Sequence, residues 1–125
     1  MSQIQVYTSI YDTYRGGQRV NIMRRPPVYA EYDKALPEVY PPWELIKQWN
    51  AVKRLADSNP KKEYVINMYI RTYLQLLEQA GFDKVASRLE DGDVLLCNCR
   101  NTGFCHRHVL AGWLSAHGIK CVEVI

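Results

Sequence analysis

Between Val94 and Val124 the chain alternates its pattern in a way few folds accept. An apolar run (Val94, Leu95, Leu96) enters a tight loop, then a stretch with Val109, Leu110, Trp113 and Leu114 at helical spacing. Gly118 stops that helix, and Ile119 to Val124 reads as another strand. Strand, helix and strand packed into so few residues predict a right-handed parallel crossover. A parallel sheet needs cover on its faces, so this unit commits the chain to an α/β architecture.

The remaining elements fit such a sheet. Ile4 to Ser9 is rich in strand formers, and Arg19 to Met23 reads as a second short strand ended by Arg24, Arg25 and the Pro26-Pro27 pair. From Pro26 to Pro42 no period is visible, and five prolines with Tyr29, Tyr32 and Tyr40 suggest an ordered surface loop. Pro42 and Trp43 open a helix carrying Leu45, Ile46, Trp49, Val52 and Ala56. Pro60 starts the next, with the strongest period in the chain, from Val65 to Ala80, stopped by Gly81. A short helix from Asp83 to about Leu89 follows, and Asp91-Gly92-Asp93 turns the chain into the strand Val94 to Cys99. At 125 residues this predicts one domain with about four mostly parallel strands flanked by helices.

The chemistry is concentrated in Cys97-Asn-Cys99-Arg-Asn-Thr-Gly-Phe-Cys105-His106-Arg107-His108. Three of four cysteines and two of three histidines fall in these twelve positions, at the junction of strand and helix. Ligands of open parallel sheets sit beyond the carboxyl ends of the strands. That rule gathers Thr8, Ser9 and Tyr11 from the first strand, Arg24 and Arg25 from the second, and Arg100 from the third onto one expected rim. The last helix adds free N–H groups and a positive dipole end there.

Several roles are open to these residues. Cys105 in the first helical turn, beside His106 and Arg107, has the surroundings of an activated thiolate; as a small apolar residue it also suits a buried cap. His106 suits a general acid or base, a metal ligand, or a core histidine bonded to a carbonyl. Arg107 offers a planar fork for an anion or for loop backbone. His117, in the last turn, reads as structural, and His108 as exposed. Cys97, Cys99, Cys105 and His106 could together hold zinc, although their spacing is not the paired form of strong zinc motifs. No phosphatase or rhodanese loop, Walker loop, dinucleotide fingerprint or serine elbow is present.

Composition narrows the classes further. No apolar run nears the ~20 residues of a membrane span, and Met-Ser-Gln-Ile-Gln-Val is not a signal peptide, so a cytoplasmic chain without a membrane partner is expected. Reduced, clustered cysteines agree with that compartment. The net charge of +3 is mild, but Arg15, Arg19, Arg24 and Arg25 supply it against Asp12 within one segment.

The strand Leu95-Leu96-Cys97, the junction Phe104 to His108 and the helix Leu110-Ala111-x-Trp113-Leu114 resemble the family grouped as domain of unknown function 488. Val6-Tyr7-Thr8-Ser9 and Pro42-Trp43-Glu44 extend the likeness over most of the chain. Members carry glutamate two residues after the first cysteine, where this chain has Cys99. The resemblance implies an α/β fold and a cytosolic protein of a bacterium or phage, without a settled reaction.

The leading expectation is a small protein, monomer or homodimer, that takes a small anionic or nucleotide-like ligand. Cys105 would be nucleophile and His106 acid or base, with Thr8, Ser9, Tyr11, Arg24, Arg25, Arg100 and Arg107 as ligand contacts and no cofactor. Alternatives of other classes are a non-catalytic module with a structural zinc, and a binder of nucleic acid or of a nucleotide signal in phage counter-defence.

Overall fold

A computed structural model describes residues 4–98 and 104–124. Five strands form one sheet: β1 (Gln5–Ile10), β2 (Arg19–Asn21), β3 (Lys34–Ala35), β4 (Val94–Cys97) and β5 (Lys120–Glu123). Their order is β3-β2-β4-β1-β5, and every pairing is parallel. The helices are α1 (Trp43–Val52), α2 (Pro60–Ala80), α3 (Phe82–Ala86) and α4 (His106–Ala116), with a 3-10 turn at Pro37–Val39.

The handedness of parallel crossovers explains which face each connection covers. Steps from β1 to β2 and from β2 to β3 move toward one edge; steps from β3 to β4 and from β4 to β5 move back. Right-handed connections in opposite directions must lie on opposite faces. On one face Leu95 and Cys97 pack with Tyr69, Tyr73 and Leu77 of α2 and Leu110, Trp113 and Leu114 of α4. On the other, Val94 and Leu96 pack with Tyr11, Tyr14 and Ala30 from the two helix-free connections. The helices therefore share one face, and loops cover the other.

This arrangement also decides where a crevice opens. The chain leaves β4 toward the helical face, whereas both neighbours, β1 and β2, send theirs to the loop face. Divergent exits beside a strand leave a gap beyond its carboxyl end, the usual ligand position in such sheets. Here that end is Cys97-Asn98.

Local chemistry accounts for the element boundaries. Asn59 caps α2 by accepting from the backbone N–H of Lys61 at 2.9 Å, and Pro60 occupies the first helical position. Gly81, at φ +91°, ends it in a conformation that other residues avoid. The expected elements are present with shifted ends: the second strand stops at Asn21 and the fourth at Cys97. The stretch Pro26–Pro42, expected to be a loop alone, contributes β3, whose two residues are too few to show any period. No helix among the described residues is long and apolar enough to cross a membrane.

The interior holds one costly polar group well. Tyr73, fully buried on α2, donates its hydroxyl to the Val39 carbonyl at 2.6 Å and so ties the helical layer to the turn after β3. Tyr73→Phe leaves that carbonyl unpaired. It should lower stability by about 1.5 kcal/mol and the melting temperature by about 5 °C, read by thermal denaturation.

Candidate functional site

Arg107, in the first turn of α4, is 3% exposed and lies across the carboxyl ends of the sheet. Its Nη2 donates to Glu123 Oε2 at 2.7 Å and its Nε donates to the same carboxylate at 3.1 Å, a forked pair. Its Nη1 reaches the Cys97 sulfur at 3.4 Å. Thr8 donates its hydroxyl to the other oxygen of Glu123, and His108 Nε2 stands 3.3 Å from that carboxylate. The guanidinium thus joins β4, β5 and α4, with β1 held between them through Thr8. Burial works against the Arg107 charge, but Glu123 and the nearby thiols hold it firmly protonated. Burial also works against the Glu123 anion, yet the Arg107 bond, with Thr8 and His108, lowers its pKa overall.

Cys97 and Cys105 meet beneath this pair, with sulfurs 3.1 Å apart and both side chains buried. Cys105 is the N-cap residue of α4, in extended conformation, one position earlier than expected. His106 follows it and is buried. Its Nε2 lies 3.0 Å from the Ile22 carbonyl, which can only accept, so Nε2 carries the proton and Nδ1 the lone pair. Burial lowers the His106 pKa, and the ring is neutral at pH 7. Tyr73 meets it edge to face at 6.0 Å, and edge contacts continue through Tyr69 and Phe104 to Trp49. This aromatic row is a preformed wall.

The wall bounds a cleft of about 580 Å³ beyond the ends of β2 and β4. Asn98, Phe104 and His106 line it together with Trp43, Trp49 and Tyr69. Arg24 and Arg25 come from the turn after β2, Lys53 and Arg54 from the C-cap of α1 and the residue after it, and none of the described lining residues is a carboxylate. Arg25 stacks its guanidinium 4.5 Å above the Trp43 ring, and Arg24 Nε donates to the Pro41 carbonyl at 3.1 Å. Such a surface stacks planar rings and attracts anions.

The expected rim thereby divides in two. His106, Arg24 and Arg25 share the cleft. Cys105 and Arg107 lie behind it, with the guanidinium committed to Glu123 and Cys97 rather than offered to a ligand. Thr8 is on the helical face but bonded to Glu123. Ser9 and Tyr11 are not brought to the site: Ser9 is in register with Leu96, whose side chain faces the loop layer, and Tyr11 packs there too. Tyr11 donates to Asn21 Oδ1 at 2.7 Å, and Arg15 and Arg19 also line a hollow with Tyr11 rather than the cleft. The period of two along β1 forces this split, because Thr8 and Ser9 must point to opposite faces. Cys99 and Arg100 lie outside the described residues. Among the described residues no three His, Cys, Asp or Glu side chains are grouped to hold a metal.

Sequence reasoning missed Trp43, Trp49, Lys53 and Arg54, whose interleaved aromatics and cations along α1 carried the available signal. It also missed Asn98, Tyr69 and Glu123. Nothing local marks Glu123, since its partner lies sixteen positions earlier on a helix.

Two acid-linked losses of stability follow. His106 has a folded pKa below the ordinary 6.5, so the unfolded chain takes a proton first and stability falls as pH drops below 6.5. Glu123 is depressed below 4.5, so its contribution is complete above 4.5 and is lost as pH falls through the folded value. Urea unfolding across pH should show His106→Gln flattening the slope just below pH 6.5. Glu123→Gln should flatten it below 4.5 while costing about 2 kcal/mol at pH 7, discounted for partial exposure.

A family model described as the active DUF488-N3 subclade matches residues 4–118. Searches of curated proteins and of solved structures returned no match. The matched span runs from the first strand through the last helix, taking in the two buried cysteines, His106 and Arg107. The chain belongs to the DUF488 family, in its active N3 subclade.

Proposed function

We propose that this protein binds a phosphorylated, nucleotide-like ligand in the cleft beyond β2 and β4, as a small enzyme-like domain. The observation that carries the reading is the lining: Arg24, Arg25, Lys53 and Arg54 with Trp43, Trp49, Tyr69 and Phe104, and no acid among the described residues. Four cations on one cleft, with no carboxylate among its described lining residues, favour an anion there. The aromatic residues favour a ligand with a planar ring, and about 580 Å³ is in the size range of small-molecule sites. The position at the divergent exits around β4 adds the general preference of open parallel sheets.

His106 is the group for proton transfer. It lines the cleft, it is neutral at pH 7, and its donation to Ile22 fixes the tautomer that leaves Nδ1 basic. Cys105 lies behind it and does not line the cleft, so this reading gives ligand contact to the imidazole rather than to the thiol. Membership of a subclade described as active supports an enzyme-like role.

Titration with ADP, followed by tryptophan fluorescence, tests the binding. Saturable quenching is expected as the base displaces Arg25 from Trp43. Arg25→Ala should weaken ADP about tenfold, the size of one charge-assisted contact, and affinity should fall with added salt. Arg15→Ala, on the loop face, should change it less than twofold. Equal weakening by both variants, or no saturable response to ADP, overturns the assignment.

A further inference from the structure

We propose that Cys97 and Cys105 form a reversible dithiol–disulfide couple whose oxidation narrows the cleft and weakens ligand binding. The gating rests on the cleft reading above; the redox couple itself does not. The two sulfurs are 3.1 Å apart, one at the end of β4 and the other at the cap of α4. A disulfide requires about 2.05 Å between sulfurs, so the bond needs only a small approach of two side chains already in contact.

Each cysteine is joined directly to a residue of the cleft. Cys97 precedes Asn98, and Cys105 sits between Phe104 and His106; Asn98, Phe104 and His106 all line it. Drawing the sulfurs together pulls the start of α4 toward the end of β4, and those three residues follow. The distance between the two walls of the floor shrinks, and the His106 bond to the Ile22 carbonyl at 3.0 Å has to readjust. Arg107 contributes from behind. Its Nη1, 3.4 Å from the Cys97 sulfur, places positive charge where sulfur becomes negative during exchange.

With a small-molecule disulfide such as oxidised glutathione as oxidant, the step balances. The Cys105 thiol, 1% exposed, meets the oxidant when the first turn of α4 opens locally; it gives up its proton and its sulfur attacks one sulfur of the oxidant, breaking that S–S bond and releasing one glutathione thiolate. The Cys97 thiol then loses its proton, and its sulfur attacks the Cys105 sulfur of the mixed disulfide and expels the second glutathione thiolate. Two electrons pass from the protein thiols to the oxidant, which leaves as two thiols once the released protons return. Excess dithiothreitol reverses both steps.

The test uses the full chain with Cys99→Ser and Cys121→Ser, leaving Cys97 and Cys105 as its only cysteines. Equilibration in glutathione redox buffers, followed by alkylation and mass measurement, should show both thiols lost together in a monomer lighter by about 2 Da. ADP should bind the oxidised form at least tenfold more weakly than the reduced form, with recovery in dithiothreitol. Should that variant not fold, the same titration on the unsubstituted chain, with tandem mass spectrometry locating the Cys97–Cys105 link, gives the same readout. Thiols that stay reduced in fully oxidising buffer, or ADP affinity equal in both forms, overturn the proposal. If the reduced protein binds no ADP, the cleft assignment falls and the gating with it, whereas the mass measurement still decides the redox couple.

Discussion

A buried guanidinium cannot be left without partners, and Arg107 organises this end of the molecule for that reason. Removing its charge from water costs several kcal/mol, returned only through well-placed acceptors. Glu123 provides the fork and Cys97 a third contact, and they come from strands separated by β1. Satisfying Arg107 therefore fixes β5 against β4 and sets the first turn of α4 over both. His106, one residue before it, inherits that placement and reaches Ile22 at the end of β2. One side chain thus locates the imidazole of the site without touching the cleft.

The two layers behind and within the cleft divide the work between them. Behind it, the buried guanidinium and the two thiols are bonded together and to a carboxylate that keeps one side open to solvent. In front, cations and aromatic rings are left facing solvent, with Arg25 resting on Trp43. The first group holds geometry; the second is available to a ligand. Edge-to-face contacts from Trp49 to Tyr73 join them, so that the cleft wall is continuous with the core. The aromatic wall is therefore preorganised, whereas Arg24, Arg25 and Arg54 in front of it are exposed.

Much of this was legible in the chain. The Val94–Val124 pattern implied a parallel crossover, and the long period of α2 implied a broad helical layer over a sheet. The crowding of cysteine, histidine and arginine falls at the start of α4, beside the carboxyl ends of the strands. What the sequence could not convey was the allocation of side chains to faces. Thr8 and Ser9 are adjacent, yet strand alternation sends one toward Glu123 and the other toward the loop layer. Arg107 looked equally suited to an anion or to structure until Glu123, remote in sequence, came beside it. Likewise the four basic residues of Arg15 to Arg25 belong to two surfaces, because the chain crosses from the loop face to the cleft at Met23. Lys53 and Arg54, just after α1, complete the cleft from a segment whose pattern advertised only a helix.

The most direct measurement is a crystal structure of the reduced protein grown with ADP. The account predicts the adenine against the Trp43 or Trp49 ring, Arg25 displaced, and the phosphates among Arg24, Arg25, Lys53 and Arg54 with His106 at the floor. Nucleotide in the hollow beside Tyr11, or a cleft without nucleotide and with Arg25 still stacked on Trp43, would contradict it.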